Sequence, residues 1–339
     1  MARQRHCSVG VSFGPESELY AFPHGHPMNK ERFRVFESSI QDLAKSKGAD
    51  SGGVTIVAPR LAKEEDALLF HTKYYVDFVK TSSKVGSGYL DYGDTPSFKG
   101  VFEASLFSVG GTLAGLDLIS KGEFDHFFNP VGGLHHARSD RAGGFCVFND
   151  AAIAVCRLLQ QERGRIAYVD IDAHHGDGVF YAFESEPRVI IGDIHEDGRF
   201  LYPGTGSALE SGSGKAEGTK LNIPMPPRAG DQEFRHAFDR VEEFVKSFKP
   251  EFILFQCGAD CLAGDPIAQL MYTPAAHAYA TERLHELAHD VCGGRLLAMG
   301  GGGYDPVNVS AAWTAVASGL TGAGPRENQP SDSTRHFSD

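Results

Sequence analysis

Six short apolar runs, each closed by glycine, proline or a knot of polar residues, restrict how this chain can fold more than any other feature. They are GVTIVAP (53–59), FFNPVGG (127–133), RIAYVDID (165–172), RVIIGDIH (188–195), EFILFQCGAD (251–260) and GRLLAMGGGG (294–303). Their residues are mostly β-branched or large aliphatic, as in strands buried on both faces. Helix-like stretches lie between them. NDAAIAVCRLLQQERG (149–164) opens on Asn149 and Asp150 as capping candidates. DQEFRHAFDRVEEFVKSFKP (231–250) starts at Asp231, stops before Pro250 and repeats its apolar residues every three to four positions. Strands alternating with helices predict an α/β fold in which helices flank a central parallel sheet.

No repeat and no linker-like shift in composition interrupts the 339 residues. One domain over 1–321 is expected, with ESGSGKAEG (210–218) as a surface loop and GAGPRENQPSDSTRHFSD (322–339) as a flexible tail. At 41% hydrophobic residues the core is ample. The net charge of −12 argues against nucleic acid or an anionic membrane as partner; it favours cationic partners, or serves solubility alone. MARQRHCSVG at the start is polar and basic with no apolar stretch behind it, unlike a signal peptide, and no window reads as the ~20 apolar residues of a membrane span. The six cysteines (7, 146, 156, 257, 261 and 292) follow no disulfide framework, which suits a reducing, cytoplasmic setting; Cys257 and Cys261 are close enough to weigh as a redox pair.

The polar residues are not scattered over this pattern. GGLHHARSDRAGGFCVFND, DIDAHHGDG, DIHED, CGADCLAGDP and GGGGYDP each follow a strand, so all five gather at one sheet edge. In an open α/β sheet the C-terminal edge is where ligands bind. Within DIDAHHGDG, side chains two apart share a face, which aligns Asp170, Asp172 and His174. A carboxylate and an imidazole so spaced can grip one cation. Three protein ligands leave a position for water, and Asp260 is the strongest candidate for the third. For an isolated D-x-D-x-H the competing reading is a hydrogen-bonded polar core; the other strand-end clusters weigh against it.

Adjacent His135 and His136 diverge, so each imidazole needs its own carboxylate to fix its tautomer, and Asp170 and Asp177 are available. The four glycines of MGGGGY let backbone approach a ligand closely, and Tyr304 then brings a phenol suited to donate to an oxyanion.

Taken together, GHPMNKERF, DTP, GGLHHA, GGFCVFND, VDIDAHHGDG, YPGTG, GADCLAGDP and GGGGY resemble the zinc-dependent deacetylase family of histone deacetylases, acetoin-utilisation deacetylases and acetylpolyamine amidohydrolases, over about residues 10 to 320. ELYAFPHGHPMNKERF and GDTPSFKGVFEASLFSVGGTL look most like the bacterial acetoin-utilisation branch. The resemblance implies the arginase–deacetylase fold. It places Asp172, His174 and Asp260 on the metal ligands, and His135 and His136 on the tandem catalytic histidines paired to Asp170 and Asp177. Tyr304 falls on the catalytic tyrosine. Asp94, Gly144, Phe145, Tyr202 and Gly302 match substrate-binding positions, Tyr202 standing where many members have phenylalanine. Arg32 matches the arginine near an internal acetate channel. Asp170, Asp172, His174, Asp193 and Ile194 look like the family's potassium site.

The implied reaction is hydrolysis of an acetylated amine by metal-activated water. His136 takes the water's proton and later delivers one to the amine, His135 stays protonated, and Tyr304 and the metal hold the oxyanion. Two carboxylates and one imidazole suit Zn2+, with Fe2+ or Co2+ able to fill the same cup. Acetyl-lysine on proteins or peptides is the preferred substrate. Acetylpolyamine is the alternative, disfavoured by the lack of a long gating insertion and by Arg228 if it lies at the mouth. A non-catalytic acyl-lysine reader would lack a ligand or Tyr304, and an arginase-like ureohydrolase would hold two manganese ions. Oligomeric state is not legible.

Overall fold

The computed structural model describes residues 6–23, 25–45 and 53–322. Most of the tail expected over 322–339 lies outside them. Among the described residues, eight parallel strands form one sheet: β1 (Val9–Ser12), β2 (Val54–Val57), β3 (His126–Asn129), β4 (Ile166–Asp170), β5 (Val189–Glu196), β6 (Lys220–Met225), β7 (Phe252–Gln256) and β8 (Leu296–Met299). Their order is β2-β1-β3-β8-β7-β4-β5-β6, and helices lie in the crossovers. The single-domain parallel α/β architecture expected from the apolar runs is therefore present. Strands β3, β4, β5, β7 and β8 are buried throughout. That is why they read as unbroken apolar runs rather than alternating ones.

Two strands are absent from the sequence reading. The edge strand β6, KLNIPM, carries polar residues and Pro224, tolerable where one side of the ladder has no neighbour. β1 is only VGVS, with few apolar atoms of its own. It is nonetheless interior: a Cβ on Gly10 would meet the Phe127 ring, so β3 supplies the bulk that β1 lacks.

The two predicted helices form as Asp150–Gln160 and Asp231–Phe248. Asn149 caps the first, its side chain accepting from Ala152 N at 2.8 Å. The expectation about apolar windows needs correction. The helix Val101–Ser120 is long and apolar enough to cross a membrane by length and composition. It is a core helix here, with 78% of that stretch buried, and its Gly110 packs against the backbone at Arg60 and Ala62. Cys257 and Cys261 are free thiols donating to different carbonyls, Met299 O and Gly258 O, so they form no redox bridge.

Candidate active site

The loops after β3, β4, β7 and β8 converge at the C-terminal edge of the sheet. Parallel register sets Asp170 beside Asp193 and Gln256, so residues distant in sequence start from one level. Just past β4, His174 Nδ1 lies 3.2 Å from Asp172 Oδ1 and 2.9 Å from Asp260 Oδ2. Candidate ligand atoms of Asp172, His174 and Asp260 all lie within 4.8 Å of one another, and all three residues are buried. Burial would lower the His174 pKa, but the two carboxylates override it and lift it to about 10. Burial and the charge of Asp172 push Asp260 up to about 7. A proton on His174 thus sits where two crowded carboxylates call for positive charge, and a divalent cation fits that donor set better than a proton does.

The floor has no room for side chains. A Cβ on Gly258 would run into Asp172, and one on Gly302 into Asp260. Gly302 N donates to Asp172 Oδ2 at 2.8 Å, as does Gln256 Nε2 at 2.8 Å. Gln256 also reaches Gly133 O and accepts from Gly258 N. Sequence reasoning missed Gln256; its one signal was a polar residue closing the apolar run FILFQ.

The tandem histidines take the predicted partners. His135 Nδ1 meets Asp170 Oδ2 at 2.8 Å, His136 Nδ1 meets Asp177 Oδ1 at 2.7 Å, and the two Nε2 atoms are 3.1 Å apart. If both Nδ1 atoms donate to carboxylates and the Nε2 pair shares one hydrogen, the two rings carry three N–H protons and one positive charge. The electrostatics put that charge on His135. Burial opposes it, but Asp170 and Asp172 raise the ring to about 9, whereas burial and the charge of His135 lower His136 to about 4. Two further residues brace the pair: Tyr168 OH donates to Asp170 Oδ2 at 2.6 Å and Arg138 Nη2 to Asp177 Oδ2 at 2.7 Å.

A chamber of about 10 Å3, room for roughly one water, lies beneath these groups. His135, His136, Asp172, Gly302, Tyr304 and Met28 border it. Tyr304 is held by its backbone N–H on Asp265 Oδ2 at 2.8 Å. Burial, with Asp260 and Asp172 close by, pushes its phenol well above the ordinary value, so it stays a donor. Arg32 is buried behind the glycine run, Nη2 donating to Gly301 O at 2.7 Å and Nη1 facing Met28 Sδ.

Outward, the Tyr202 ring stands edge-on to His136 (centroids 5.0 Å apart), and the Phe145 ring edge-on to Tyr304 (5.7 Å). Gly144 joins these walls at φ 53°, and a Cβ there would clash with His136. At the rim, Asp94 borders two open basins of about 430 and 320 Å3. Burial and neighbouring Asp91 raise Asp94 to about 7. Arg138 and Arg141 line the larger basin. Arg228, suspected at the mouth, is not among the residues lining either basin. Asp193 sits beside the His174 loop, accepting from Gly176 N at 2.9 Å and meeting His195 Nδ1 at 2.7 Å, with Ile194 buried next to it.

The chain is similar to known proteins over most of its length. The histone deacetylase domain matches residues 26–320. The acetoin utilization protein AcuC of Bacillus subtilis is 39% identical over 327 residues, covering 94% of this chain and 83% of that protein. A crystal structure of an HDAC homolog from Aquifex aeolicus superposes with a TM-score of 0.81 at 30% identity, covering 93% of this chain and 84% of that one. An HDAC homolog complexed with SAHA gives a TM-score of 0.81 at 29% identity, covering 94% and 84%.

Proposed function

The chain belongs to the histone deacetylase family and is a deacetylase, and from that premise we propose that it removes acetyl groups from the ε-amino group of lysine in proteins or peptides. The observation that carries the substrate preference is the rim. Arg138 and Arg141 share the larger basin with Asp91 and Asp94. A peptide backbone offers N–H groups to Asp91 and Asp94 and a carbonyl to the exposed Arg141, so the mixed donors and acceptors of this rim match an amide chain. Tyr202 beside His136 and Phe145 beside Tyr304 offer aromatic faces suited to a lysine side chain.

Asp172, His174 and Asp260 would hold the divalent metal, zinc before iron(II) or cobalt. When bound, that ion supplies Lewis-acid polarisation of the acetyl carbonyl and lowers the pKa of water toward roughly 7. His136 accepts the water's proton at Nε2, giving up its 3.1 Å contact with His135 Nε2 to do so, since its Nδ1–H is committed to Asp177. His135, held charged by Asp170, stabilises the negative charge that develops nearby. Tyr304 donates its phenolic hydrogen to the oxyanion. His136 then releases its proton to the departing lysine amine. Arg32 lies beside Met28 at the back of the chamber, a position suited to steering acetate away. A potassium ion on backbone oxygens around Asp170, Asp172, His174, Asp193 and Ile194 belongs to the same reading, supported by the register that pairs Asp170 with Asp193. None of the six cysteines forms a disulfide and five of them are buried, which favours the cytoplasm.

Parallel assays on an acetyl-lysine peptide and on acetylputrescine test the proposal. Turnover of the peptide is expected; exclusive turnover of acetylputrescine would overturn it.

A further inference from the structure

A second group of metal-capable side chains lies at the opposite, N-terminal edge of the same sheet. Cys7 stands two residues before β1 and His126 opens β3. His285 and His289 sit four residues apart on the helix Pro274–Cys292, and so project from one face. One ligand atom from each of the four lies within 4.8 Å of every other; Cys7, His126 and His285 are buried and His289 is partly exposed. The contacts are close: Cys7 Sγ to His289 Nε2 is 3.2 Å, and His126 Nε2 to His285 Nδ1 is 3.0 Å. The three imidazole centroids are 4.8 to 5.2 Å apart.

We propose that Cys7, His126, His285 and His289 form a second metal site, closed by four protein ligands, for a borderline-soft divalent cation, zinc above all. With zinc–nitrogen bonds of about 2.0–2.1 Å, a tetrahedron has nitrogen–nitrogen edges of about 3.3 Å. The His126–His285 contact of 3.0 Å is near that edge, and the Cys7–His289 contact of 3.2 Å is somewhat shorter than the sulfur–nitrogen edge of about 3.6 Å set by a zinc–sulfur bond of about 2.3 Å, so each pair would spread slightly around the ion. A cation uses all four at once. One thiolate and three neutral imidazoles leave a single positive charge around a divalent ion. The Asp125 carboxylate, which accepts from Ser8 N and Oγ at 2.8 Å and interacts electrostatically with His126 and His289, offsets it. The C-terminal end of the helix carrying His289 favours a cation for the same reason. With no ligand position left for water, the site is structural. It ties the segment before β1 to the sheet and to that helix.

Cobalt distinguishes the two sites, because a thiolate ligand adds a charge-transfer band in the near ultraviolet that the carboxylate–imidazole set does not produce. The full chain, stripped by chelator and titrated with Co2+, is expected to bind two equivalents and to develop this band. Asp260→Ala should bind one equivalent and keep the band. Cys7→Ser should lose the band, bind the second equivalent more weakly through the three remaining imidazoles and retain deacetylase activity. Zinc should raise the melting temperature of Asp260→Ala by more than that of the Asp260→Ala, Cys7→Ser double variant at the same zinc concentration. Saturation of the wild-type chain at one equivalent without the band, or a band that survives Cys7→Ser, would overturn the proposal. The wild-type titration decides the matter even if a variant does not fold.

Discussion

The two ends of the sheet set similar ligands in different electrostatic company. At the C-terminal edge, three imidazoles (His135, His136 and His174) stand among Asp170, Asp172, Asp177 and Asp260, on loops opening toward two basins. At the N-terminal edge, three imidazoles meet one thiol and are packed between a strand and a helix. The first set offers three ligands and keeps one side for substrate; the second offers four and keeps none. The number of ligands and the supply of carboxylate, more than histidine content, separate a site that reacts from one that holds shape.

The sharpest way to break this contrast is Asp260→Ala. Deacetylation should fall on the order of 10⁴-fold or more, the scale seen when a catalytic unit is dismantled, while the cobalt–thiolate band of the other edge persists. Tyr304→Phe should lower kcat about 10²–10³-fold with metal content unchanged by elemental analysis; wild-type turnover would remove the phenol from the mechanism. Gln256→Ala frees Asp172 from a 2.8 Å bond and should weaken catalytic-metal affinity about 10–100-fold, measured by competition with a chelator. At the rim, Asp94→Asn should raise KM for an acetyl-lysine peptide about tenfold, the scale of one charged hydrogen bond. Because burial and Asp91 raise Asp94 to about 7, its accepting, ionised form grows as pH rises. Wild-type KM should therefore fall between pH 6 and 8, and the Asn variant should give a flat, high profile. Cys7→Ser, the mildest change, should leave turnover intact and lower only the metal-dependent melting temperature.

Much of the reactive edge was legible because its chemistry follows apolar strands. Asp172 and His174 follow one apolar run and Asp260 ends another; β4 stops at Asp170, so the bends of the loop, not the strand alternation expected from the sequence, bring Asp172 and His174 together. The histidine–carboxylate pairs followed from the need to orient each ring. Gln256 escaped because it acts through Asp172, a carboxylate that only tertiary packing brings near; Tyr168 escaped although its partner Asp170 is two residues along the same strand face, because it reads as one more large residue of an apolar run. Arg138 lay in plain view in LHHAR, but its bond to Asp177 depends on how the loop after β4 turns. Arg228 shows the converse: its charge was visible, its location was not. The Cys7 cluster joins residues up to 282 positions apart, and only the i,i+4 histidines of one helix left a local trace.

Strand β8 lies between β3 and β7, and its register with both makes one sheet out of two sets of strands. A chain emerging in sequence order therefore holds His135 on one unfinished half and Asp172, His174 and Asp260 on the other until residues 296–299 arrive. Hydrolytic competence should thus appear late in synthesis and all at once. Nascent chains stalled before β8 would carry every metal ligand yet cleave nothing, with exposed apolar edges that make them clients for chaperones.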